Sequence, residues 1–479
     1  SSGQSKALTY DDLGQLASDV RSNGEQYTYL RDEGGNVTSA TDGIGASTFE
    51  FDIAGRLTSF LASTGGQMQF THDLNDRVIG KALSNPTGSI NRQTSYTYDG
   101  ADRIVSVVDS SLGETSMQYD AAGRMTIRTM PNGVTTQYDY DTRDRIISVV
   151  HRNNSGNIIK SSTYVRSVSG EPTQITWEDG SYVNITYDLA NRVEQEVFFD
   201  TNGVETLNNT YEYDKVGNRT AHIKNGVRTD YDYSLGHRLT SASGGEDWSN
   251  SYNELGQVTS INRGSGEELS YNFNGQIRTY SADSTDIEYE YDASGNRVRR
   301  TTNGQTLSYI QATPIGGQYS VPHLVFDQTN NVLAEYAYVG DTPISKRTPD
   351  GQVFYLTDGM GSVVAITDES GALISSRKFD GFGKTVEETG SFNTNSGGSF
   401  GFQGQWQDAE SGLYYMRARD YDVHSGRFLS SDPAEPDYRE IESLNRYNFA
   451  NSNPYVFSDP TGRFTLVSIN ISINIGATL

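Results

Sequence analysis

A chain of 479 residues with a net charge of −24 and no cysteine disfavours nucleic acid and anionic membrane as main partners and excludes a disulfide framework or thiolate chemistry. Its apolar share is 34% even with tyrosine counted, against 49 glycines and 31 tyrosines, a composition suited to a thin wall of strands and turns rather than a thick aliphatic core. No run reaches the roughly 18 apolar residues of a membrane span, and residues 1–10 (SSGQSKALTY) lack the charged-then-apolar form of a signal peptide.

The chain opens almost directly on a repeat, as expected of part of a longer protein with its targeting region elsewhere. Reading the residue before the acidic position, the series runs Tyr10, Leu30, Phe51, His72, Tyr98, Tyr119, Tyr140, Val165, Tyr187, Tyr213, Tyr233, Tyr252, Phe273 and Tyr291. The fuller units are TYDDLGQL, FEFDIAGRLTS, MQYDAAGRMT, YEYDKVGNRT and YEYDASGNRV, giving the consensus aromatic-x-aromatic-Asp-x-x-Gly-Arg-aliphatic.

Alternation such as Tyr211/Tyr213 or Tyr289/Tyr291 puts rings on one face of a half-buried strand. Asp at the strand end bonds amides two residues on, and Gly three residues later supplies positive φ, so Asp-x-x-Gly is a tight reversal. An aliphatic-Thr-Ser strand returns antiparallel, and a turn such as Asn132-Gly133 or Asn225-Gly226 leads to the next unit. One repeat is one hairpin. Lone hairpins are marginal, so units stack edge to edge into a long twisted sheet. Periodicity alone leaves solenoid, propeller and spiral shell open.

After Tyr309 the spacing changes. The stretch Thr385–Phe400 (TVEETGSFNTNSGGSF) reads as a polar surface loop. Further on, LAEYAYVGDTPIS, YLTDGMGSVVAITDESGALISSRKFDGFG, GLYYMRARDYDVHSGRFLSSDP and NRYNFANSNPYVFSDPTG, following Tyr-Asp repeats, resemble the Rhs/YD-repeat family ending in its Rhs-associated core. The resemblance covers about Tyr10 to Gly462. It implies an all-β spiral of YD-repeat hairpins forming a hollow shell, or cocoon, with a C-terminal inward plug. The expected division is a YD-repeat shell at 1–309, atypical shell repeats and the Gly/Ser loop at 310–400, the core plug at 401–463 and the start of a variable region at 464–479.

In bacterial Rhs effectors and the C components of toxin complexes, such a shell encloses a toxic C-terminal segment freed by self-cleavage; teneurins share the shell without that delivery role. Carried over residue by residue, the resemblance implies catalytic Asp432 and Asp459, oriented or tuned by Arg419, and a cleavage site between Arg463 and Phe464. Two close carboxylates, one ionised and one protonated, are what aspartic proteolysis requires. The chain departs from the family where Arg463 replaces the usual Leu or Met and where DPAEPD follows the first motif. Read without the resemblance, both Asp-Pro pairs are turn initiators. If an enzyme at all, the chain is at most an aspartic autoprotease acting on its own C-terminal region.

The sequence offers no cofactor or metal site. Repeat aspartates lack the D-x-[DN]-x-[DN]-G form and read as turn caps, and the six histidines are scattered. Gly397–Gly401 matches G-x-S-x-G only formally. Repeat arginines such as Arg56, Arg124 and Arg219 read as partners of neighbouring aspartates. The final FTLVSINISINIGATL alternates like a strand and is too short to be a toxin domain. Two functions follow as expectations. One is a secreted toxin-carrying shell, with its own C-terminal segment as cargo and a delivery or shell-closing protein as partner. The other is an adhesion or glycan-binding surface protein enclosing nothing, which exposed outer aromatic clusters would favour.

Overall fold

The computed structural model describes residues 4–89, 91–392, 396–436, 441–463 and 466–467. Among them, 36 strands between Lys6 and Thr389 join into a single sheet, each pairing antiparallel with its chain neighbours.

The unit around Asp120 shows why the consensus folds this way. The Asp120 N–H donates to Arg124 O at 2.9 Å and the Gly123 N–H to Asp120 O at 3.0 Å, with Gly123 at φ +87°. Asp120 Oδ1 accepts the Ala122 and Arg124 amides, each at 3.0 Å, and Oδ2 accepts Arg124 Nε at 2.7 Å. The next unit's tyrosine then completes the motif: Tyr140 Oη donates to Met125 O at 2.7 Å, and the Arg124 guanidinium lies 4.8 Å from the Tyr140 ring centroid. Each aspartate therefore caps its own turn, while each arginine ties that turn to its neighbour. Arg124 also reaches Asp144 at 2.7 Å, as Arg56 reaches Asp76 at 2.9 Å.

Register corrects three members of the repeat series. Each consensus turn of the series follows a strand-end residue that pairs across a bulge, as Tyr119 does with Met125. In the three irregular units that residue is Arg31, opposite Val37, Arg166, opposite Pro172, and Tyr271, opposite Ile277. Leu30 and Val165 precede that position and Phe273 lies within the turn; searching for an aromatic or aliphatic residue misplaced the frame where arginine or Asn272 stands in the consensus positions. Arg219 is a further correction. In YEYDKVGNRT, Asn218 occupies the arginine position and donates to Asp214 Oδ2 at 2.8 Å. Arg219 falls one residue later and turns to the buried face, 4.5 Å from the Tyr211 ring and 4.1 Å from Phe382, since successive strand residues face opposite ways.

Contacts between distant units reveal the spiral. Thr64 Oγ1 donates to Tyr309 O and Asn85 Nδ2 to Asn330 O, both across 245 residues of chain. The offset is 236 residues at Asn132–Asp368, 199 at Lys378–Asp179 and 185 at Gly381–Glu196. The ribbon thus lies against its own earlier turn, and the turns shorten along the chain. The seam is lined by buried apolar side chains, including Val134, Tyr138 and Val149 from the first turn with Ile344, Phe354 and Leu356 from the second.

Beyond the ribbon, a five-stranded sheet between Gly398 and Phe428 and the turns that follow form the inward plug. Its centre is aromatic: Tyr421 lies 4.3 Å from Phe449, and Phe428 5.7 Å from Phe449. The reading of Thr385–Phe400 as one polar surface loop is overturned at both ends. Thr385–Thr389 is a strand, Gly398–Phe400 is another, and Phe392 and Phe400 are buried. Composition hid this because the covering side chains come from elsewhere in the chain: Phe400 lies 5.2 Å from Trp406 and 5.6 Å from Tyr336, while Gly397 sits against Tyr309 and Gly398 against Trp406. Residues 393–395 of that stretch lie outside the described residues.

The plug is bolted to the shell by ion pairs and backbone bonds. Arg297 pairs with Asp420 at 2.7 Å and Arg300 with Asp408 at 2.8 Å. Val258 N donates to Leu429 O at 2.9 Å, and Arg427 Nη2 to His237 O at 2.6 Å.

Candidate self-cleavage site

The plug strand Arg419–Asp422 presents Arg419 at the point where two later segments return. Its side chain is almost fully buried, with the guanidinium stacked 3.6 Å from the Phe428 ring centroid. Every nitrogen is used. Nε donates to Gly462 O at 2.5 Å and Nη1 to Arg446 O at 3.0 Å. Nη2 meets both carboxylates, Asp432 Oδ2 at 2.7 Å and Asp459 Oδ2 at 2.8 Å. Those two oxygens therefore cannot be further apart than the sum of the two distances.

Each aspartate is also a turn former. Asp432 Oδ1 accepts the Ala434 amide at 2.8 Å, and Asp459 Oδ1 accepts the Arg463 amide at 3.1 Å. The turn-initiator geometry is thus present, and the same geometry aims the remaining carboxylate oxygens at one guanidinium. Gly462, at φ +65°, is forced by closeness: a Cβ there would lie 2.4 Å from Met416 O and 2.9 Å from Arg419 N. Arg417 Nη1 donates to Pro460 O at 2.7 Å and Ala418 N to Thr461 O at 3.1 Å, so the Asp459–Gly462 segment is held along its length.

The carboxylates differ in surroundings. Asp459 is 2% exposed and Asp432 18% at the side chain. Burial pushes Asp432 above the usual carboxylate range, against the pull of Arg419, Arg446 and Arg463. Burial likewise pulls Arg419 down despite both acids. The structure thus brings Arg419, Asp432, Asp459 and the Arg463 amide together; Phe464, the other half of the expected scissile bond, lies outside the described residues, as does most of 464–479. Leu466–Val467 pairs antiparallel with Phe457–Ser458.

Reading the sequence missed Arg446. Its guanidinium contacts Asp432 O and lies 3.2 Å from Ala434 O, and its own carbonyl accepts the Asp432 amide at 2.8 Å. A lone arginine in SLNRYNF carries no spacing signal. A buried acid was missed too: Glu196 accepts Tyr455 and Tyr211 hydroxyls at 2.6 and 2.8 Å and the Gly381 amide at 2.6 Å.

A family described as the teneurin YD-shell matches residues 89–209 and 194–455, most of the chain. This chain is a YD-shell protein. It is 27% identical over 381 residues to the tRNA3(Ser)-specific nuclease WapA of Bacillus spizizenii, covering 78% of this chain and 16% of that protein. It is 23% identical over 465 residues to double-stranded DNA deaminase toxin A of Burkholderia cenocepacia, covering 87% and 30%. The crystal structure of TcdB2-TccC3 superposes with a TM-score of 0.45 at 16% identity, over 95% of this chain and 30% of that one. The YD-shell chain spans well under half the length of each.

Proposed function

We propose that this YD-shell is the toxin-enclosing part of a secreted bacterial effector or toxin complex, and that its plug is an aspartic autoprotease cutting between Arg463 and Phe464. The observation that carries the reading is the convergence of Asp432 and Asp459 on one Arg419 nitrogen, beside a backbone held at Gly462 and Arg463. Relatedness to two proteins named as a nuclease and a toxin supports the cargo half of it.

In this reading Asp459, which accepts both Arg419 and the Arg463 amide, is the ionised member and takes a proton from water. Asp432, desolvated but reachable from solvent, is the protonated member and polarises the Arg463 carbonyl. The water oxygen bonds to the carbonyl carbon. The carbon–nitrogen bond to Phe464 then breaks as that nitrogen gains a proton, leaving a carboxylate on Arg463 and an amine on Phe464. The cargo is the chain's own C-terminal segment, and a delivery or shell-closing protein completes the assembly outside the cell.

Intact-mass measurement on the longer protein tests this. A fragment beginning at Phe464, absent in Asp432→Asn and Asp459→Asn, is expected; an uncleaved wild type defeats the cleavage half. The adhesion reading finds less support: of the exposed large hydrophobic side chains among the described residues, Tyr10 alone is aromatic.

A further inference from the structure

Arg446 stands at the only described point where backbone and side chain of one residue both grip the Asp432 turn. Its carbonyl accepts the Asp432 amide at 2.8 Å and Arg419 Nη1 at 3.0 Å, linking the turn to the guanidinium that the two acids share. Its own guanidinium reaches back over the turn to Asp432 O and, at 3.2 Å, Ala434 O. The turn itself has one internal side-chain bond, from the Ala434 amide to Asp432 Oδ1.

We propose that Arg446 is a positioning residue for self-cleavage, fixing the Asp432 carboxylate against Arg419 and supplying a second positive charge beside it. The proposal rests on the cleavage reading above. The charged groups facing Asp432 are Arg419 from the plug strand, Arg446 from the segment following the Asp432 turn, Arg463 from the returning backbone, and Asp459 through the shared guanidinium. Removing Arg446 has two separable effects. The turn loses its outer brace, so the carboxylate spends less time in the reactive geometry. The proton on Asp432 is also held more tightly, because one of the cations favouring the ionised form is gone.

Cleavage requires protonated Asp432, so the rate falls as pH rises through the alkaline limb of a bell-shaped profile. Loss of a nearby cation moves that limb upward, on the order of one pH unit for a charge several ångströms away at intermediate dielectric. Lysine keeps the charge and can reach one of the two carbonyls.

The experiment follows cleavage of the longer protein by intact mass against time, across about pH 4 to 9, for wild type, Arg446→Ala and Arg446→Lys. Expected are a rate loss of roughly tenfold or more in Arg446→Ala, an alkaline limb displaced upward by about one unit, and partial rescue with an unmoved limb in Arg446→Lys. Wild-type rate and limb in Arg446→Ala overturn the proposal and leave the cleavage reading intact. A slower Arg446→Ala with an unmoved limb overturns it equally, since a loop brace alone would do that. An uncleaved wild type overturns both. If Arg446→Ala does not fold, the rate and limb of Arg446→Lys decide: a rate equal to wild type counts against the double carbonyl grip.

Discussion

Asp380 offers a direct test of how the coils are locked together. It caps a turn of the second coil, accepting the Phe382 and Lys384 amides at 3.0 and 2.9 Å, and is buried beside Glu196 of the first coil. Glu196 in turn binds Tyr455 of the plug and the Gly381 amide. Burial first, and then the Glu196 charge, push Asp380 from 3.8 up to about 7, with Lys384 and Arg219 pulling the other way; burial raises Glu196 as well. A carboxyl with a raised folded-state value contributes its full stability below about 3.8, where both states hold the proton. That contribution is lost as pH rises toward about 7, because only the unfolded chain gives the proton up freely. At 1.36 kcal/mol per unit the loss is roughly 4 kcal/mol, shared between two interacting acids. Asp380→Asn keeps the oxygen acceptor and removes the charge. Urea unfolding of both proteins between about pH 4 and 8 should therefore give curves that nearly coincide at the acid end and separate toward pH 8, the variant being the more stable by up to roughly 4 kcal/mol. Parallel curves across that range would refute the argument.

Three further outcomes follow from the geometry. Asp120→Ala deletes a cap that holds two amides and the Arg124 fork and should lower unfolding stability by about 2 kcal/mol, read from the urea midpoint; no change would mean that the turn closes without it. Arg297→Ala strands the buried Asp420 charge, at a cost of about 3–5 kcal/mol, and should open the plug to limited proteolysis before the shell. Gly462→Ala places a methyl against Met416 O and Arg419 N; the turn must move off Arg419, so the Phe464 fragment should vanish from the mass spectrum while the shell stays folded.

The shell was largely legible because its rules are local. Asp, Gly and Arg at fixed offsets are each consumed within one turn and its neighbour, so spacing alone locates the hairpins. What defeated the reading were positions where the frame slips by one. In YEYDKVGNRT and YEYDASGNRV the asparagine takes over the turn bond, and the displaced Arg219 and Arg297 swing to the buried face to meet Phe382 and the plug's Asp420. The same letters thus build a surface clasp in one unit and an anchor in another. The candidate site was reachable only through its motifs: Asp432 and Asp459 are distant in sequence, and nothing in their spacing says that Arg419 stands between them. The Arg446 guanidinium grips the carbonyls of Asp432 and Ala434, atoms every residue has, so no partner residue in the sequence marks it.

The shrinking offset along the seam carries a consequence for how such a protein can change. Each contact in the first winding is matched to a partner some two hundred residues onward, like the marks on a vernier. Swapping one hairpin's letters disturbs only its neighbours. Adding or deleting a whole hairpin inside a winding would slide every later mark out of alignment, so unit number within a lap should be far less free to drift than the identity of the residues that compose it.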